Sequence, residues 1–294
     1  MEIISIIGHK TFKLNCYLFE PKQKAKGVIQ IIHGMQEHAK RYIEFASFLC
    51  ENGYVVLASD LRGHGNSLAD NKVLGHDPEY NLFDSVVKDQ IIIYNFLKEK
   101  YNLPVYIFGH SFGSFISQKL MQGLIDSNKF ILCGTSDGSR AQYKFGNMVA
   151  SLLCLFNQQD KSAKVIENLS LKAYGKKFEN GNWLTRDNSV FKKYSEDPLS
   201  GTSFPISFYK SLFSNFSKIN KGIDLINENT EILLIVGSKD PVGNNAKDIL
   251  SLHKKLTKKN KKASYKLYED ARHELINEIC KDQVYNDILN FYNS

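Results

Sequence analysis

Gly109-His110-Ser111-Phe112-Gly113 is the stretch around which the rest of the chain is organised. The apolar run Val105-Tyr-Ile-Phe108 ahead of it reads as a short buried strand, and Ser114 to Leu124 behind it carries apolar residues at helical spacing. A strand, a sharp turn and a helix therefore meet at one serine. This is the context in which G-x-S-x-G forms a nucleophile elbow. The glycines have a steric reason: the turn is tight enough to strain the serine backbone, and a side chain on either flank would meet the neighbouring strand or helix. The strain lifts Oγ clear of the sheet. The helix that begins there aims free N–H groups and the positive end of its dipole at the site. A glycine-rich βα turn without chemistry is the competing reading, so Ser111 needs partners elsewhere in the chain.

Outward from the elbow, Gly27-Val-Ile-Gln-Ile-Ile32 and Tyr54-Val-Val-Leu-Ala58 are near-continuous apolar runs of the kind buried in a mostly parallel sheet. An opening hairpin is expected from residues 3–7 and 12–19. Helices are expected over about 40–51 and 84–100, and a further strand at Phe130-Ile-Leu-Cys133. Strand and helix alternate here, which implies parallel pairing through right-handed crossovers. The rhythm stops from about Gly138 to Lys221, a segment rich in Phe and Tyr that contains Trp183. It resumes with a strand at 232–236, a helix at about 245–256, a strand at 264–268 and a closing helix to about Tyr292. The fold class expected is α/β: a mostly parallel, doubly wound sheet built from residues 1–137 and 222–294, with a helical cap inserted over 138–221. A long insertion without sheet rhythm is usually functional, so the cap is expected to form pocket walls.

A serine hydroxyl is a poor nucleophile at neutral pH and needs a base, which in turn needs an orienting acid. In a doubly wound sheet, reactive groups lie in loops at the carboxyl ends of strands. Ser111 follows one strand, Asp240 follows the strand ending at Val236, and His273 follows the last strand, in the order Ser…Asp…His expected of such a sheet. Asp240 could merely shape a turn before Pro241, and His273 could be a polar residue opening the last helix. Asp137 is the fallback acid. Asp270 is a weaker candidate, because it shares the histidine's own loop. Attack on a carbonyl also leaves an oxyanion that needs two donors. The N–H of Phe112 at the helix start supplies one, and the loop His33-Gly34-Met35 assigns the other to Met35 N–H. His33, His38, His64 and His110 lack metal-ligand spacing, so no metal is expected.

Bulk properties narrow the classes further. A hydrophobic share of 43% is that of a globular chain, and no apolar stretch nears the roughly 20 residues that span a bilayer. Met1-Glu-Ile-Ile lacks the basic start of a signal peptide. The five cysteines are odd in number and scattered, so a cytoplasmic location is expected. The net charge of +7 is concentrated in Lys254-Lys-Leu-Thr-Lys-Lys-Asn-Lys-Lys262, either a solvated helix end or a weak docking patch for an anionic membrane. The run has no interleaved aromatic residues, which argues against nucleic acid.

The blocks His33-Gly-Met-Gln-Glu-His38, Asp60-Leu-Arg-Gly-His-Gly-Asn-Ser67, Gly109–Gly113, Gly237-Ser-Lys-Asp240 and Ala271-Arg-His273 together resemble the α/β-hydrolase superfamily. More narrowly they are similar to its monoacylglycerol lipase and lysophospholipase-like group of serine hydrolases. The resemblance implies a cofactor-free esterase or lipase acting on a small ester or lipid-like substrate. Its triad falls on Ser111, Asp240 and His273, and its oxyanion donors on Met35 and Phe112. Ser114 departs from the group, which usually has a second glycine there. Two rivals stand beside this reading. One is a prolyl-type aminopeptidase, which would need cap acids such as Glu179, Asp187, Glu196 or Asp197 to hold an ammonium group. The other is a non-catalytic ligand-binding protein on the same scaffold.

Overall fold

The computed structural model describes residues 1–169 and 171–294. Its eight-stranded sheet has the order β1-β2-β4-β3-β5-β6-β7-β8. The strands are β1 (Glu2–Ile7), β2 (Lys13–Phe19), β3 (Gly27–Ile32), β4 (Tyr54–Ser59), β5 (Val105–His110), β6 (Lys129–Cys133), β7 (Glu231–Gly237) and β8 (Lys262–Tyr268). The first two form the expected hairpin, β2 returns antiparallel against β4, and the strands from β4 to β8 run parallel. β3, β4 and β6 are buried from end to end, which is why they are apolar on both faces rather than alternating.

The helices are α1 (Ile43–Glu51), α2 (Leu82–Tyr101), α3 (Phe112–Leu120), α4 (Ala141–Leu155), α5 (Lys164–Leu169), α6 (Leu171–Gly175), α7 (Asn188–Glu196), α8 (Ile206–Phe216), α9 (Lys247–Lys258) and α10 (Lys281–Asn293). They divide between the two faces as the strand periodicity dictates. Val28, Ile32 and Ile107 point to one face with Phe83 of α2, Phe115 of α3 and Leu252 of α9. Ile29, Ile31 and Phe108 point to the other with Phe45 of α1 and Tyr285 of α10. Each such fully buried side chain contributes about 1.5–3 kcal/mol, so both faces are firmly covered.

The segment between β6 and β7 is helical. Many of its aromatic residues are continuous with the first face. Phe204, Phe208, Tyr209 and Phe216 belong to that cluster, and Phe216 stacks on Phe115 of α3 with ring centroids 3.7 Å apart. Two details differ from the sequence expectation. The helix expected from residue 40 opens as a 3-10 turn over Ala39–Tyr42. The closing helix does not follow His273 directly: a 3-10 turn at Leu275–Asn277 precedes α10. There Glu278 is buried and accepts hydrogen bonds from Arg186 and from the Arg272 and Ile279 amides, which holds that stretch out of helix.

Candidate active site

Ser111 stands at the turn between β5 and α3 with φ 50° and ψ −117°, a left-handed conformation that costs a non-glycine residue on the order of 1–3 kcal/mol. The amide of Ser111 donates to Cys133 O at 2.9 Å, and its carbonyl takes the first bonds of α3. Gly113 is the steric key. A Cβ there would lie 2.0 Å from Ile32 O and 2.6 Å from His33 O, so only glycine lets α3 approach β3 this closely. Ser114, in place of the usual second glycine, is tolerated because its hydroxyl donates to Ser111 O at 2.5 Å.

The carboxyl ends of β7 and β8 deliver the two other candidates. His273 Nδ1 bonds Asp240 Oδ1 at 3.0 Å, with both side chains buried. Asp240 Oδ1 also accepts from Val242 N. Its second oxygen is buried with no partner among the described residues, so its burial is not offset by a hydrogen bond there. Burial, reinforced by the same charge, pushes the neighbouring Cys133 thiol well above its usual range. The link from His273 Nε2 to the Ser111 hydroxyl is not closed among the described residues. Contacts of this kind often tighten only with substrate. Asp137, the fallback acid, is bound by Ser139, Ser251 and Lys255. The amide of Asp270 donates to Ser238 Oγ.

Met35, in the loop after β3, and Phe112, at the first turn of α3, line the same cavity as Ser111 and His273. That loop is held by a network which the sequence patterns did not single out. Glu37 Oε1 accepts from Gly34 N at 2.6 Å, from Tyr42 OH at 2.8 Å and faces His110 Nδ1 at 3.1 Å. Glu37 Oε2 accepts from Arg41, which also makes a two-pronged pair with Glu274, the neighbour of His273. Burial alone would raise the Glu37 pKa, but Arg41 and His110 more than reverse this and hold it well below the usual carboxylate range. Burial works against a charged His110 as well, yet the bond to Glu37 raises its pKa. His110 Nε2 also reaches His273 O at 3.3 Å. The i, i+4 spacing of Glu37 and Arg41 and the adjacency of Glu274 to His273 were the available signals; only the fold shows that they meet.

The other histidines sit apart in structural bonds. His33 faces Gly34 O and accepts from Leu61 N, His64 faces Arg62 O, and His38 holds Asp197 of the insertion at 2.5 Å. Arg62, in turn, is paired with Asp89. The cavity, about 350 Å³, has mostly apolar walls that include Phe112, Phe115, Tyr143, Leu212 and Phe213, with Glu37, His110, Tyr194 and Glu274 at its polar end.

An elbow serine, a loop-borne histidine–carboxylate pair and a covered parallel sheet define an α/β-hydrolase. Within that class the chain belongs to the serine aminopeptidase, S33 family, whose model matches residues 23–279. It is similar to the monoglyceride lipase of Mus musculus, with 26% identity over 96% of this chain and 86% of that one. It is also similar to the monoglyceride lipase homolog of Monkeypox virus, with 25% identity over 93% and 90%. Among solved structures, a carboxyl esterase from Bacillus coagulans in complex with glycerol superposes with a TM-score of 0.90 at 23% identity, covering 99% and 97%. A soluble variant of monoglyceride lipase from Saccharomyces cerevisiae, in complex with a substrate analog, gives 0.79 at 19% identity, covering 99% and 94%.

Proposed function

We propose that the chain is a serine hydrolase of carboxylic esters with an apolar, lipid-like acyl group. Ser111 is the nucleophile, His273 the base and Asp240 the orienting acid. The N–H groups of Met35 and Phe112 receive the oxyanion; His273 takes the Ser111 proton and passes it to the departing alcohol as the acyl-enzyme forms, and water deprotonated by His273 then releases the acid and frees Ser111. The observation that carries this reading is the buried 3.0 Å His273–Asp240 bond opening with a strained Ser111 onto one apolar cavity. The monoglyceride lipases among its relatives support a lipid-like substrate.

Residues 138–221 serve as the cap, and α4, α5 and α8 supply the apolar walls. A prolyl-type aminopeptidase is the weaker alternative, despite the family's descriptive name. Of the acids it would use, Asp187 caps α7, Glu196 pairs with Lys192, Asp197 holds His38 and Glu179 is exposed. The carboxylates that do line the cavity, Glu37 and Glu274, are occupied by Arg41. Hydrolysis of p-nitrophenyl esters of graded acyl length is the test. Activity that Ser111→Ala abolishes, rising from acetate to medium chains, is expected; proline arylamide turnover without ester turnover overturns it.

The protein works at a membrane surface from the cytoplasmic side. The support is α4, whose exposed Phe145, Met148, Leu152 and Leu155 form one stripe that reaches the cavity wall at Phe145, more than the lysine run. In that run Lys255 and Lys259 pair with Asp137 and Asp224. Among the described residues no helix is long and apolar enough to cross a membrane. Sedimentation with anionic vesicles checks this: Leu152→Asp is expected to release the protein, and equal binding by that variant contradicts it.

A further inference from the structure

We propose that Trp183 is a positioning residue for the His273 imidazole, carried over it by a strap of the insertion that is bonded to the histidine's own loop. This rests on the assignment of His273 as the base. The Trp183 and His273 rings lie 5.1 Å apart, centroid to centroid, with planes inclined by 36°. Tyr174 meets Trp183 edge-on at 5.6 Å, and the His110 ring lies 4.8 Å from that of His273. Trp183, Tyr174, His110 and His273 all line the cavity that holds Ser111.

The indole is held there from both sides. Glu274 N donates to Leu184 O at 2.7 Å. Arg272 donates to Asn182 O at 2.5 Å and Thr185 O at 3.0 Å. The Thr185 hydroxyl donates to Asn277 O at 2.8 Å, and Arg186 pairs with the buried Glu278 at 2.9 Å. Residues 182–186 and 272–278 are thus stitched together along their length, with Trp183 and His273 at matching points. This part of the insertion moves with the base rather than opening away from it.

The imidazole needs such a partner. Among the described residues its side chain has one hydrogen bond, Nδ1 to Asp240, and a ring held at a single point can swing its Nε2 away from Ser111. The indole limits that swing and keeps bulk water off the ring. When Ser111 gives up its proton, His273 becomes a cation, which the electron-rich indole face favours. A tryptophan beside the base therefore acts on the charged intermediate more than on substrate affinity.

Trp183 is the only tryptophan of the chain, so the contact has its own optical readout: an imidazolium quenches indole emission far more than a neutral imidazole does. The titratable groups that face His273 are Asp240, His110, Glu274 and, through Trp183, Tyr174. In wild type, emission should fall on acidification with the same midpoint as kcat/KM for ester hydrolysis, and His273→Gln should abolish that step. Trp183→Leu should lower kcat by about tenfold with KM changed less than about threefold, and Trp183→Phe, which keeps an aromatic face, should recover most of the loss. Wild-type kcat in Trp183→Leu, or an emission step that persists in His273→Gln, overturns the role of Trp183. Full ester hydrolysis by His273→Gln refutes instead the assignment of the base. If Trp183→Leu does not fold, Trp183→Phe and the wild-type emission titration still decide.

Discussion

Glu37→Gln keeps the shape of a buried side chain and changes only its hydrogen-bonding capacity. The two carboxylate oxygens of Glu37 accept from Gly34 N, Tyr42 OH and Arg41 and face a histidine whose pKa is raised. A glutamine offers one accepting oxygen. Whichever way it is turned, its NH2 faces either Arg41 or the Gly34 amide, donor against donor. Breaking a buried charged pair costs about 3–5 kcal/mol. Arg41 keeps its two bonds to Glu274, so the lower end, about 3 kcal/mol, is expected. With about 2.1 cal/mol/K of unfolding entropy per residue, a chain of 294 residues then loses about 5 °C in Tm. Gly34 adjoins the proposed donor Met35, so kcat should also fall, by up to the 10²-fold that a lost oxyanion donor costs. Calorimetry and ester kinetics on the same preparation measure both. A Tm within about 1 °C of wild type together with kcat within about twofold would refute the reasoning.

Gly113→Ala should be far more damaging than its size suggests. The new Cβ meets Ile32 O and His33 O, forces α3 off β3 and parts the two proposed oxyanion donors; kcat should drop by about 10²–10³, with a lowered Tm, and an active variant contradicts the elbow geometry. Acid should destabilise the fold before carboxylates titrate. Burial lowers the pKa of His33 to about 4 and of His64 to about 3, whereas both titrate near 6.5 when unfolded. Their neutral forms therefore stabilise the native state fully above about pH 6.5, and that stability is lost as pH falls toward 4. His110, with its raised pKa, acts in the opposite sense and only above about 6.5. The net loss from pH 7 to 5.5 is about 2 kcal/mol, readable as a fall in the urea midpoint; an unchanged or higher midpoint at pH 5.5 contradicts it.

The parallel core was legible because β3, β4 and β6 are buried on both faces and so consist almost wholly of apolar residues, and because Ser111, Asp240 and His273 fall in the loops just past β5, β7 and β8. What escaped was set by distance along the chain. The hairpin partner of β4, the Arg41–Glu274 pair and the strap over His273 join residues with no local pattern between them. Asp197 illustrates the difficulty. In the sequence it is one of several acids free to bind an ammonium group; in the structure it holds His38 beside the proposed oxyanion loop. The stripe on α4 was hidden for another reason: its apolar spacing is that of a core helix, and only the fold leaves it exposed.

The most direct measurement is labelling of the folded protein by a fluorophosphonate, with the adduct located by mass spectrometry. A single adduct on Ser111 is predicted, lost in Ser111→Ala and strongly slowed in His273→Gln, with circular dichroism unchanged. Undiminished labelling of Ser111→Ala, or no labelling of the folded wild type, would contradict the assignment of Ser111 as the nucleophile.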